Sequence, residues 1–168
     1  MEKEIVFTPN FTFKEYFKAN LYIYSRRILT RILLFIFSLI VLLNLALFIL
    51  TNELSFGDFI NNCFPFFIFP TIIIVASYIL AKRALDNPKI KEEIKIHLNN
   101  SFYEEIGETF RIKFSWNEFS KIIETKTAYL LFQSTNNARI IIKENLNNEQ
   151  LNDLALLFKS LNIKKSLK

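Results

Sequence analysis

The residues whose types could do chemistry are few. His97 is the only histidine, so any imidazole-based relay would have to be built on it with Ser101 and Glu104, the nearest hydroxyl and carboxylate. That spacing, inside one expected strand and turn, matches no triad geometry. An ordinary surface or turn-proximal role is therefore expected for His97. Cys63 is the only cysteine, which rules out an intrachain disulfide and, with one histidine beside it, a zinc-type ligand set. The carboxylate pairs Glu92-Glu93 and Glu104-Glu105 have the composition for acid–base or metal work. Adjacent residues on a strand point to opposite faces, however, and a solvated polar edge is the expectation. Catalytic residues, bound cofactors and metals are accordingly expected to be none. Glycine occurs only at Gly57 and Gly107, leaving nothing from which to build a phosphate-cradling loop.

The clearest charged constellation is basic: Arg26, Arg27 and Arg31, then Lys82 and Arg83. These flank two charge-free blocks, Ile32 to Leu50 and Phe59 to Ala81. The first contains sixteen Leu, Ile, Phe and Val residues among nineteen. At about 1.5 Å per residue it approaches the roughly 30 Å of a bilayer core. Each central apolar residue contributes roughly 0.3–0.6 kcal/mol to insertion, and together they outweigh about 1–2 kcal/mol for Asn44. Asn44 is expected to be an interhelical hydrogen-bonding or interface group rather than part of an ion pathway. In the second block Pro65 and Pro70 each remove a backbone donor, so a kink or a late helix start is expected.

The connecting loop 51–58 carries only Glu53 and Asp58. Positive flanks and a negative loop predict a hairpin with both ends cytoplasmic, in an integral protein of the plasma (inner) membrane. The five basic residues are assigned to setting topology or contacting lipid headgroups. The net charge of +5 is then explained by the membrane, and nucleic acid is not an expected partner. The organisation that follows is 1–31, a cytoplasmic segment with a short amphipathic helix, then 32–81, the transmembrane hairpin, then 82–168, a cytoplasmic α+β domain.

Thr12 and Glu15 have the spacing of a capping box, predicting a helix from Phe13 towards Arg27. Its Phe13, Tyr16, Phe17 and Tyr24 would sit at headgroup level, or the helix would simply extend the first span inward. Glu4 to Thr8 reads as extended and able to pair with a later sheet. After Pro88 the apolar pattern alternates: Ile94, Ile96 and Leu98, then Phe110, Ile112 and Phe114, then Phe119 to Thr125, Tyr129 to Ser134 and Arg139 to Lys143. Trp116, close to Phe114 and Phe119, reads as a core or corner anchor. A helix capped at Asn147 or Asn148 presents Leu151, Leu154, Ala155, Phe158 and Leu161 on one face. Lys164, Lys165 and Lys168 read as a solvated tail. An antiparallel sheet with a C-terminal amphipathic helix is expected, and a pleckstrin-homology-like curved sheet or barrel is one form it could take.

With these segments in place, the layout resembles the YcxB-like family of small bacterial two-span membrane proteins. The resemblance rests on Thr12 to Glu15, the hairpin, Ser115-Trp116, Ile122-Ile123-Glu124-Thr125, Tyr129-Leu130-Leu131-Phe132, Ile140-Ile141-Ile142-Lys143 and the final helix. One departure is Ile142, where the family usually has proline before the basic residue. The resemblance implies no activity or cofactor that can be carried over. The functional expectation is a membrane-tethered, non-enzymatic interaction or regulatory module with an unknown protein partner. The alternatives are an oligomeric transport or channel component, which would require homo-oligomerisation, and an envelope- or lipid-acting enzyme with an unrecognised site.

Overall fold

Two long helices separate strands that nevertheless pair with each other. β1 (Ile5–Phe7) precedes the helices and β2 (Lys95–Leu98) follows them, and the two are antiparallel neighbours with Ile5 opposite Leu98. The computed structural model describes residues 4–50, 55–135 and 137–167. Within it the chain divides into two units: Asn20–Leu80, and a composite of Met1–Ala19 with Ala81–Lys168.

The helix α1 (Phe13–Ser25) begins at the expected box, where the Thr12 N–H donates to Glu15 Oε2 at 3.3 Å. It does not run on into the first span. The Arg27 N–H turns back to the Tyr24 carbonyl at 3.2 Å, and α2 (Ile28–Leu50) starts afresh. The second long helix, α3 (Phe56–Asp86), starts earlier than Phe59 and runs through both prolines. Its start is set by Ser55, whose hydroxyl accepts the Asp58 N–H at 3.2 Å and donates to the Asp58 carboxylate at 2.7 Å. Each proline removes a single donor, which a helix of 31 residues tolerates. Residues 51–54, including Glu53 of the expected loop, lie outside the described residues.

Both α2 and α3 are long and apolar enough to cross a membrane. Their side chains face outward, with Ile28 77 % and Phe35 69 % exposed. Against each other the helices make Phe37–Phe69 and Phe48–Phe59 ring contacts, at 5.7 and 5.4 Å between centroids. A hydrogen bond from Asn62 Nδ2 to Asn44 Oδ1 at 3.0 Å lies between them. This is the interhelical bond expected of Asn44.

The composite unit is α+β. One sheet has the order β1-β2-β3-β4, with β3 at Phe102–Ile106 and β4 at Arg111–Ser115. The other has the order β7-β6-β5-β8, comprising β5 (Lys121–Glu124), β6 (Ala128–Phe132), β7 (Ala138–Ile142) and β8 (Lys164–Ser166). All consecutive pairings are antiparallel except β5 with β8, which is parallel. The final helix α4 (Asn148–Ser160) is capped by Asn147, which accepts the Gln150 N–H at 2.8 Å.

Both sheets and α4 share one core. Phe158 is fully buried, its ring 6.0 Å from Trp116 and 5.1 Å from Tyr129. Trp116 is the anchor its neighbours predict: it is buried in the core and its indole N–H donates to the Asn99 carbonyl in the β2–β3 turn at 2.8 Å. At Gly107 a Cβ would meet the Phe110 ring and the Glu92 carboxylate, so any larger residue would require these side chains to move. The C-terminal lysines depart from expectation. Lys164 and Lys165 lie in β8, and the Lys165 ammonium donates to the Lys159 and Leu161 carbonyls, satisfying the open end of α4. Lys168 lies outside the described residues.

Candidate functional site

Register decides which charged side chains enter the core. In β3, Tyr103 stands opposite Leu98 and Phe114, and Glu105 opposite Ile96 and Ile112. Both therefore share the face that the apolar core covers. In β7, Arg139 stands opposite Leu131, again on the core side. The two sheets consequently meet through polar groups at this point. The Tyr103 hydroxyl donates to Glu105 Oε1 at 2.5 Å, and Arg139 Nη1 donates to Glu105 Oε2 at 3.0 Å. The Arg139 guanidinium also lies 4.9 Å from the Phe114 ring centre. Its Nε is buried without a hydrogen-bond partner among the described residues.

A cavity of about 150 Å³ opens beside this cluster, lined by Tyr16, Phe11, Ile94, Glu105, Asn137 and Arg139 among others. Burial, with the Glu105 charge adding to it, pushes the Tyr16 hydroxyl up to about 12. The same two causes, in the same order, hold Tyr103 well above the ordinary tyrosine value. Both phenols thus stay protonated at neutral pH, and the Tyr103 hydroxyl donates to Glu105. What the arrangement offers chemically is a fixed set of donors around one carboxylate, with room for a few water molecules or a very small polar ligand.

These positions correct the expectation of a solvated edge at Glu104-Glu105. The adjacent carboxylates do point to opposite faces, but both are buried. Glu104 accepts from Arg111 Nε at 2.8 Å and from Nη2 at 3.2 Å, and those bonds hold its carboxyl below the usual range. Across the ladder it stands opposite His97. His97 Nδ1 lies 2.8 Å from Glu4 Oε1, tying β1 to β2, while Ser101 remains in the turn with its N–H on Asn99 Oδ1. Glu92 is engaged as well, accepting from the N–H and hydroxyl of Thr109 and so bracing the Gly107 turn. Tyr16, expected at headgroup level, lines the cavity instead.

A second polar group sits at the far end of the same core face. Lys143 Nζ contacts Glu124 Oε1 at 2.5 Å and lies 4.8 Å from the Tyr129 ring centre. Burial, then the Glu124 charge, pushes Tyr129 up to about 12. Among the described residues no cluster of three His, Cys, Asp or Glu side chains could hold a metal ion.

The basic residues singled out by sequence are not part of this interior. Arg26 stacks 5.1 Å from the Tyr22 ring centre and Arg27 3.8 Å from that of Tyr24, both at the α1–α2 turn. Arg31 is exposed on α2, and Lys82 and Arg83 are exposed on α3. What sequence reasoning missed is the Tyr103–Glu105–Arg139 bridge. Its available signal was parity, since Glu105 is two residues from Tyr103 and so shares its face of the strand.

No curated protein and no solved structure matches the chain. A family does match, over the segment that holds Tyr103, Glu105 and Arg139 but not Tyr16. From the last residue of β2 into α4, residues 98–158 match the family described as YcxB-like protein, the same family that the sequence resembles.

Proposed function

We propose that this chain is a membrane-tethered, non-enzymatic interaction or regulatory module, held at the inner face of the plasma membrane with both termini cytoplasmic. The observation that carries it is the β1–β2 pairing. The strands on either side of the apolar helices lie in one sheet, so both ends of the helical insertion must return to the same place. A hairpin that enters and leaves a bilayer on one side satisfies that requirement. A single crossing does not.

The side is assigned by charge. Arg26, Arg27, Arg31, Lys82 and Arg83 mark the cytoplasmic ends and serve as topology determinants or headgroup contacts, while the acidic Asp58 lies at the opposite end, in the first turn of α3. The domain is read as pleckstrin-homology-like: consecutive antiparallel strands in two sheets, closed by a C-terminal amphipathic helix, with the hairpin inserted between the first two strands. Tethering raises the local concentration of such a domain near membrane partners.

A photoreactive residue at Lys113, on the outer strand β4, tests the reading in native membranes. A discrete protein adduct is expected, absent when β4 is made unable to pair by Ile112→Pro. Adducts to lipid alone, or none, would overturn it.

A second reading, an oligomeric transport or channel component, draws on the Asn44–Asn62 bond, which places polar groups inside an otherwise apolar hairpin. Ion or solute flux through reconstituted wild-type protein, lost in Asn44→Leu, would move the assignment to this reading.

A further inference from the structure

β8 differs from every other strand of the α+β unit. It is three residues long, all three are exposed, and its pairing with β5 is parallel. Yet it covers an edge that is costly to leave bare. β5 carries Ile122, which is fully buried, and without β8 the outer N–H and carbonyl groups of β5 would be open to any extended chain. The end of this chain therefore fills a strand-addition site.

The fit is good on one side of β8 and poor on the other. Alternation places Ile163, Lys165 and Leu167 on one side. Ile163 and Leu167 pack against the core, and the Lys165 ammonium reaches the Leu161 carbonyl at 2.7 Å. On the other side Lys164 stands directly opposite Lys121, whose opposite residue on β6 is Phe132. That row holds two ammonium groups and no carboxylate. Like charges directly opposite one another weaken a strand pair, and opposite charges strengthen it. The Lys121 ammonium lies 4.4 Å from the centre of the Phe132 ring, so an acidic residue in the place of Lys164 would meet a cation already in position.

We propose that β8 is a displaceable strand, and that an extended segment of a partner protein, acidic where this chain has Lys164 and apolar at the positions on either side, pairs in parallel with β5 in its place. The short connection from α4 keeps β8 at a high effective concentration, so a segment of no better match does not displace it. The Lys121 row supplies the difference. This goes beyond the module reading and concerns an edge other than β4, so its failure leaves the membrane assignment and the contacts of Lys113 as they stand.

The probes are two dye-labelled synthetic peptides, Thr-Ile-Glu-Val-Glu-Ile-Thr and Thr-Ile-Lys-Val-Lys-Ile-Thr, titrated with the full-length chain in detergent and read by fluorescence anisotropy. The acidic peptide is expected to bind about fivefold more tightly than the basic one. Lys121→Glu should reverse that preference. Removing residues 164–168 takes away the internal competitor and should tighten binding of the acidic peptide by about tenfold.

A lock completes the test. Ile123 and Ser166 stand opposite each other, and Ile123→Cys with Ser166→Cys in a Cys63→Ala background fastens β8 to β5 when oxidised. The reduced form should bind the acidic peptide and the oxidised form should not. Because the lock is closed and opened in one protein, the difference reads displacement and not loss of fold. Equal binding of the two peptides, equal binding by the oxidised and reduced forms, or no binding by either the wild-type or the shortened chain would overturn the proposal.

Discussion

In α2, Ile28 and Phe35 stand 77 % and 69 % exposed, whereas in the α+β unit Leu131 and Phe158 are fully buried. The same kinds of residue are turned outward in one unit and inward in the other. Their polar groups are reversed too. In the hairpin the described interhelical hydrogen bond is a neutral amide pair, Asn62 to Asn44. In the domain, ionised groups cross the core: Glu105 is held by Arg139 and Tyr103. A charge can be placed in the domain because a second charge and a phenol arrive from another strand to meet it. A helix pair in hydrocarbon satisfies its backbone internally and gains little by adding charge.

The largest effect expected from this difference is on apolar truncation. Phe158→Ala removes a ring packed on Trp116 and Tyr129 and should cost the domain about 3–5 kcal/mol. Trp116 is the only tryptophan, so its fluorescence in a denaturant titration reads the domain without interference. Phe35→Ala, on the exposed face of α2, should leave that transition in place in detergent. If Phe35→Ala shifted the Trp116 transition as far as Phe158→Ala, the division into an outward-facing and an inward-facing apolar unit would fail.

Next in size is the Glu105 bridge. Arg139→Met leaves a buried carboxylate that keeps, among the described residues, the Tyr103 hydroxyl, and should destabilise the domain by about 2–3 kcal/mol. The lower end applies because the Arg139 side chain keeps 30 % of its exposure. Glu105→Leu with Arg139→Met removes both charges and should recover most of the loss, as apolar replacement of a buried pair usually does. Recovery of stability in the double variant also separates the two roles the cluster could play. A structural bridge is replaced without consequence, while a ligand-binding site would lose binding in a protein that still folds. No recovery would mean that Arg139 is held chiefly by Phe114 and that Glu105 is not its partner in energy.

How much of this was legible in sequence depended on how local each interaction is. The hairpin was legible because α2 holds a long charge-free run, Ile32 to Leu50, whose hydrogen bonds close within four residues. The cap at Asn147 and the buried face of α4 were legible for the same reason. β1 was legible only as an extended segment, since its partner β2 lies beyond both apolar helices. β3 was hidden: Phe102–Ile106 has two successive glutamates where alternation was sought, and burying Glu105 depends on Arg139, which is 34 residues away. β8 was hidden because Lys164 and Lys165 read as a charged tail. Their pairing with β5 and the ammonium cap on α4 exist only once the sheet has formed.

The smallest expected effect concerns the hairpin's own polar bond, and it tests whether the two units differ in kind. Interhelical hydrogen bonds in bilayers average about 0.6 kcal/mol and reach about 1.7, because separated helices find other partners for the same groups. Asn44→Leu should therefore cost about 1 kcal/mol of hairpin stability, read from unfolding in mixed micelles of rising dodecyl sulfate content. Asn62→Leu should cost less. Asn44 keeps its own bond from Nδ2 to the Ile40 carbonyl at 2.9 Å, whereas losing Asn44 deprives Asn62 of the acceptor it uses. The double variant should cost no more than Asn44→Leu alone, since both changes remove one bond. A loss as large as that of Arg139→Met would mean that the amide pair holds the hairpin as firmly as the charge bridge holds the sheets. The ordering of the two units by their polar contacts would then have to be reversed.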